Sequence, residues 1–299
     1  MRVTQNMLDR NLMFALAKNL ERLGKLNEQL SSGQRINTVS DDVVDAGQVM
    51  RLQRENDRIS SYLSNLDSSD TMLSFATSML QRTSETVASI KELAVQAATE
   101  TYTQTDRQVM AAGVDSLLDT LISLANSASK GAYLFSGEAT DTAPYAVQAD
   151  LSGQAQAVTY EGEMISTQVS VGPHATTEVN LVGESVFRRT GDLFGTVIAL
   201  RDAIAASDRD EINRLIGELD TSHTDVRQSL GRLGARQTQL QIMRTSLEMI
   251  KGLNTQAATD KQGADMAQVA VEYNSMMALL QMVMKVAAGA VTPSLINYI

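Results

Sequence analysis

The chain contains no cysteine and no tryptophan, and only two histidines and three prolines, in 299 residues. Without cysteine there is no disulfide framework, no thiolate metal site and no cysteine nucleophile. Such a chain also suits passage through an export channel in the unfolded state. Aromatic residues make up 4% of the sequence, little for a compact core that relies on large rings. Helix seams do not need them, because Leu, Ile, Val, Met and Ala fill such seams well. Positive charge is short: 25 Lys and Arg stand against 35 Asp and Glu, a formal net charge of −10. That balance argues against nucleic acid and against anionic membrane surfaces as partners. Long apolar runs are missing too. Asp9, Arg10 and Lys18 interrupt the first twenty residues, so no secretory core is expected. The most apolar stretch, Tyr273 to Met284, is followed by Lys285 and is shorter than the ~20 residues that span a bilayer. The reading is a soluble chain that leaves the cell, if it does, without a cleaved signal peptide.

What is present is helical periodicity. Leu8, Leu12, Leu16, Leu20, Leu23, Leu26 and Leu30 recur at spacings of three and four, one apolar stripe on a first helix from Thr4 to Leu30. Ser31-Ser32-Gly33 predicts its end, since glycine accepts the left-handed backbone at a helix C-terminus. Asp41 and Asp42 then predict a new helix start. On that second helix Leu52, Ile59, Leu66, Leu73, Leu80, Val87 and Ala94 fall every seven residues, the pattern of a long helix packed along a partner. About 50 helical residues would reach roughly 75 Å. A third helix is expected near Asp106 to Lys130, with Val109, Leu117, Leu121 and Leu124 as its apolar side.

From Gly131 to about Val186 glycines and prolines break the chain, and Ile165, Thr167, Val169 and Val171 alternate with a period of two. Tyr160-Glu161-Gly162-Glu163 looks like a turn between two short strands. Beyond Asp192 the helical pattern returns with Leu193, Val197, Leu200 and Ile204, then Ile212, Leu219, Val226, Leu233, Leu240 and Leu247 every seven residues. The polar stretch Gly252 to Gly263 reads as a break. A last helix carries Val269, Tyr273, Met276, Leu280, Val283 and Ala287 at alternating spacings of four and three, and Gly289 and Pro293 end it before a short apolar tail, Ser294 to Ile299. The expected fold is mainly α: long antiparallel helices forming a coiled-coil or helical-bundle rod, with a small β-rich insert mid-chain. The first helix would pair with the last, and the second with the long helix after the insert.

Candidate chemistry is thin. His223 lies four residues after Leu219, beside the seam, where a polar neighbour satisfies it better than a metal does. His174 follows Gly172-Pro173 without a second ligand nearby. Gly231-Arg232-Leu233-Gly234 lacks the Lys-Ser/Thr of a phosphate loop, and Leu233 belongs to the heptad line. Asp41, Asp42 and Asp45 are read as helix-start residues and not as an acid–base pair. No catalytic, cofactor-binding or metal-binding residue is assigned. Met266, Met276, Met277, Met282 and Met284 form either an ordinary core stripe or an adaptable partner surface. The last helix is apolar around much of its girth, which calls for burial in something.

The string Leu26-Asn27-Glu28-Gln29-Leu30-Ser31-Ser32-Gly33-Gln34-Arg35-Ile36-Asn37, with Asp41-Asp42 after it, resembles the N-terminal signature of the bacterial flagellin family, as does Lys91-Glu92-Leu93-Ala94-Val95-Gln96-Ala97-Ala98. With the long-helix C-terminal part, the resemblance covers about residues 1–140 and 190–299. Within the family, Tyr133-Leu134-Phe135-Ser136-Gly137, Thr140 to Tyr145 and the ending Ser294 to Ile299 are similar to the hook-associated junction branch more than to flagellins proper. The resemblance implies an inner terminal coiled-coil domain from 1–41 and 256–299, a helical rod domain from 42–136 and 187–255, and a β-rich tip from 137–186. It implies a structural, non-enzymatic adaptor at the hook–filament junction of the bacterial flagellum, outside the cell. Such a protein is exported through the flagellar type III channel without signal cleavage. The implied partners are copies of the chain in a ring, the neighbouring hook-associated junction protein, flagellin, the filament cap during assembly and a cytoplasmic export chaperone on the C-terminal helix. No cofactor, nucleic acid or membrane is implied.

On this reading Leu8, Leu12, Leu16, Leu20, Leu23, Leu30, Val269, Tyr273, Met276, Leu280 and Val283 carry assembly. Leu52, Ile59, Leu66, Leu73, Leu80, Val87, Leu219, Val226, Leu233, Leu240 and Leu247 form the core of the long helices. Ser31, Ser32, Gly33, Arg35, Ile36, Asn37, Asp41 and Asp42 form the signature loop. The alternatives are a small flagellin that builds the filament itself, and an unrelated secreted enzyme or metal-binding protein whose only room for a site is the insert. Residues 1–41 and 256–299 are expected to be largely disordered in the free chain and to fold on assembly.

Overall fold

A computed structural model describes residues 5–129, 131–150, 153–173 and 175–291. His174 and the tail from Ser294 to Ile299 lie outside the described residues, as do residues 1–4. Among the described residues there are seven helices and three two-stranded antiparallel hairpins. They form two compact units, one drawn from residues 59–248 and the other from residues up to 58 and from 249 on.

In the 59–248 unit the heptad lines fold as their spacing dictates. Ile59, Leu66, Leu73, Leu80 and Val87 on α2 (Val43–Ala98) are buried, and so are Leu219, Val226, Leu233, Leu240 and Leu247 on α6 (Arg209–Gln262). The two helices run antiparallel, as their cross-links show. The Lys91 ammonium donates to Asp220 at 2.5 Å, Ser84 Oγ and His223 Nε2 share a hydrogen bond of 2.8 Å, Gln237 Nε2 donates to Ser74 Oγ at 2.9 Å, and Arg244 pairs with Asp67. His223 is thus half-buried beside the seam with a polar neighbour. Burial, with Arg227 and Lys91 nearby, holds its imidazole below the ordinary value.

α3 (Gln104–Ala125) starts at a capping box between Thr103 and Asp106. One turn in, the buried Arg107 guanidinium donates 2.9 Å bonds to the carbonyls of Ala97 and Thr99, satisfying the open end of α2. α5 (Leu193–Ala206) packs on α3. α3 is the one described helix long and apolar enough to cross a membrane by length and composition. Here Val114, Leu118, Leu121 and Ala125 take up that apolarity in the core.

The scarce aromatics are concentrated at the base of the hairpins. Phe135, Tyr145, Tyr160, Phe187 and Phe194 form a chain of ring contacts with centroids 4.9–5.7 Å apart. The hairpins are β1 (Ala128–Ser129) with β2 (Ala132–Tyr133), β3 (Tyr145–Ala149) with β4 (Ala155–Tyr160), and β5 (Gln168–Gly172) with β6 (Ala175–Glu178). They precede the single turn α4 (Glu184–Phe187). Leu134, Phe135 and Ser136, the middle of the junction-like string, are buried there, and Gly137 follows at φ +66.

Several expectations need correction. Val109 is 70% exposed, because the buried face of α3 is Arg107, Ala111, Val114, Leu118, Leu121, Ile122 and Ala125. Tyr160 to Glu163 does leave a strand, but β4 pairs with β3 and not with β5, and Ile165 and Thr167 precede β5. Leu193 to Ile204 form a helix of their own, ended by Ser207 in the left-handed conformation at φ 60. The expected break at Gly252 to Gly263 is helical up to Gln262.

Candidate assembly site

The other unit is built around α1 (Gln5–Ser32) and α7 (Met266–Val291), which lie antiparallel. Gly33 ends α1 at φ +71, with its N–H on the Gln29 carbonyl at 2.8 Å. Asp265 starts α7, its carboxylate accepting from the N–H groups of Ala267 and Gln268 at 3.0 and 3.1 Å. Leu26 and Val269 are buried, and Leu12, Leu16, Leu23 and Leu30 are half-buried, as are Tyr273, Met276, Leu280 and Val283. Leu20 stands 49% exposed. Leu8 lies in α1, with its side chain outside the described ones.

One partner helix covers one stripe, and both helices carry more apolar surface than that. Met13 and Phe14 on α1 are 67% and 74% exposed. Val271, Leu279, Met282 and Met284 on α7 are exposed as well. The methionines therefore divide. Met276 belongs to the stripe and Met277 is half-buried, while Met266, Met282 and Met284 face outward. Apolar surface gains roughly 25 cal/mol per Å² on leaving water, so several large apolar side chains left out on both helices favour a covering partner.

A polar clasp fixes where both helices begin and end. Gln34 and Gly263 form an isolated antiparallel bridge, in which Arg35 N–H donates to the Gln262 carbonyl at 2.7 Å and Ala264 N–H to the Gly33 carbonyl at 3.0 Å. The Arg35 guanidinium donates to Asp42 at 3.1 Å, to Asp45 at 2.6 Å and to the Lys261 carbonyl at 3.0 Å. The Lys261 ammonium returns to Asp45 at 3.1 Å, and Gln262 Nε2 reaches the Gln34 side chain at 2.9 Å. Asp41 closes the loop by accepting from Thr38 and Asn37, and Asp42 caps α2 at Val44 and Asp45. Ile36 is buried beneath. The signature loop is thus a joint that ties the α1–α2 turn to the α6–α7 turn. Lys261 and Gln262 were not legible as its partners, since more than 220 residues separate them from Gln34 and Arg35.

Hydrogen bonds from the Asp45 N–H and Arg35 hold the Asp42 carboxyl below the usual carboxylate range. Lys261 and Arg35 do the same for Asp45, and Thr38 for Asp41. Carboxyls lowered in the fold contribute stability above their unfolded pKa and lose it as pH falls through the lower folded one. The clasp is therefore expected to hold at neutral pH and to open only in acid below the usual carboxylate range. Arg35→Ala is expected to open it at neutral pH, raising amide hydrogen exchange at residues 33–45 and 259–266 several-fold while leaving residues 59–248 unchanged. Unchanged exchange at both segments would show the clasp to be incidental.

Among the described residues no group of three His, Asp or Glu side chains is placed to hold a metal ion. Leu52, the first of the α2 heptad line, is half-buried and lines an open groove with Arg51, Arg54 and Ala257.

Residues 3–140 match the bacterial flagellin N-terminal helical region. The chain is 23% identical to flagellar hook-associated protein 3 of Escherichia coli over 290 residues, covering 92% of this chain and 90% of that one. It is 25% identical to a flagellar filament 30.7 kDa core protein of Treponema maltophilum, over 85% of this chain and 83% of that one. Among solved structures, a putative flagellar hook-associated protein of Vibrio parahaemolyticus superposes with a TM-score of 0.68 at 25% identity, covering 75% of this chain and all of that one.

Proposed function

We propose that the chain is a member of the bacterial flagellin family and serves as a non-catalytic adaptor at the hook–filament junction, joined to its neighbours through α1 and α7. The observation that carries the reading is the set of large apolar side chains left exposed on both helices of that pair, Phe14 and Met282 among them, next in sequence to a polar clasp that fixes where the helices begin and end. The near full-length similarity to a hook-associated protein supports it. In this reading the terminal pair forms an inner coiled coil shared among copies in a ring. A hook-associated neighbour lies on one side and flagellin on the other, with the filament cap above during assembly. The chain travels through the type III channel uncleaved, and a cytoplasmic chaperone covers α7 beforehand. Deleting the gene is expected to leave hooks without filaments and flagellin shed into the medium. Normal filaments in the deletion would refute the proposal.

The similarity to a filament core protein favours a second reading, a small flagellin that forms the filament itself. Copy number separates the two, because a junction component is present once per flagellum as a ring.

A further inference from the structure

Charge is strongly segregated in the 59–248 unit. Residues 131–187 hold seven acidic residues (Glu138, Asp141, Asp150, Glu161, Glu163, Glu178 and Glu184) and no Lys or Arg. Residues 226–247 of α6 hold four arginines (Arg227, Arg232, Arg236 and Arg244) and no acid. Inside the chain the match is used only in part: Arg244 pairs with Asp67, and Arg236 with Glu178 at 2.5 Å. Arg232 has a carbonyl and a hydroxyl, Ser185 O at 3.2 Å and Ser229 Oγ at 2.9 Å, and Arg189 has Gln228 at 3.0 Å. Burial, then the neighbouring Arg189 and Arg236, push the Arg232 guanidinium down from its ordinary value, so positive charge is crowded there. Arg232 and Arg236 line a cleft of about 350 Å³ with Ser166, Asn180, Ser185 and Glu178; Glu178 takes up Arg236, which leaves Arg232 as the guanidinium there without a carboxylate. On the acidic side, Glu138, Asp141, Glu161 and Glu163 are exposed and make no ion pair among the described residues. The Glu161 N–H on the Pro144 carbonyl at 2.8 Å brings that acid to the Asp141–Pro144 loop.

We propose that the Arg232–Arg236 cleft receives carboxylates of the Asp141–Pro144 and Glu161 loops of a second copy of this chain. The contact is heterologous, acidic loop on one copy to basic cleft on the next, which closes into a ring where the rotation between copies divides a full turn and otherwise continues as a helix. Opposed charge supplies register and partner choice, while the terminal helices supply the bulk of the buried apolar area. The inference rests on the proposal that copies sit side by side in the flagellum.

The cysteine-free sequence makes the test clean. Two single-cysteine variants, Ser185→Cys at the cleft and Thr142→Cys at the loop, are co-expressed in cells lacking the native gene, and isolated flagella are mildly oxidised. The expected result is a covalent dimer that needs both variants and is absent from secreted, unassembled chain. Adding Arg232→Glu to the Ser185→Cys chain is expected to cut the yield about tenfold through like-charge opposition. Adding Asp141→Lys and Glu161→Lys to the Thr142→Cys chain should restore it. Both variants present in flagella without a dimer, or a yield indifferent to charge reversal, overturns the inference alone. Absence of both variants from flagella overturns the assembly reading and the inference with it.

Discussion

Phe14→Asp is expected to abolish assembly while leaving the free chain almost as stable as before. The side chain is 74% exposed and lies outside the stripe that α1 turns to α7, so the single chain loses no buried contact. Exposed substitutions of this kind usually change stability by no more than ~0.5 kcal/mol. In an assembly that covers the residue, the same carboxylate would have to be buried without a partner, at a cost of several kcal/mol per subunit. Repeated around the proposed ring, that cost would leave no junction. Thermal melting of the purified variant, together with its recovery in sheared flagella, checks both halves. Normal incorporation would show that this face of α1 stays wet in the flagellum.

The second large effect concerns folding. Gly137→Ala is expected to destabilise the 59–248 unit by about 3 kcal/mol or more. A side chain in the left-handed region costs about 1–3 kcal/mol. Here the added carbon would also stand 2.0 Å from the Glu163 carbonyl oxygen and 2.8 Å from that of Ile165, both backbone atoms that cannot swing away. The strand around it has no slack: Gly183 N–H is bonded to the Phe135 carbonyl at 2.9 Å and Glu163 N–H to the Ser136 carbonyl at 2.8 Å. At roughly 2–4 °C per kcal/mol for a unit of this size, the melting temperature should fall by about 6–12 °C. A drop under about 2 °C would show that the loop relaxes around the methyl group.

The heptad lines were legible because a large aliphatic residue every seven positions admits only one helical face. From Ile59 to Val87 and from Leu219 to Leu247, each such residue is buried. The face of α3 was misread because its true stripe is built partly from Ala111 and Ala125, which carry little hydropathic signal beside the exposed Val109. The end of α5 left no signal at all. It rests on Ser207 in a left-handed conformation that glycine would ordinarily announce. For the assembly site, the stripe of α1 could be read, whereas the outward Phe14 and Met13 were invisible as a set until α7 showed which side was taken. The signature loop could be recognised but not explained. Its meaning lies in the pairing of Gln34 and Arg35 with Lys261 and Gln262, a relation that no local pattern encodes.

The most direct measurement is the position and number of copies of this chain on the flagellum. Immunogold labelling of intact cells with antibody to the folded chain is predicted to mark one point per flagellum, where hook meets filament, and to leave the filament bare. Label distributed along the filament would contradict the account and establish the chain as a filament subunit.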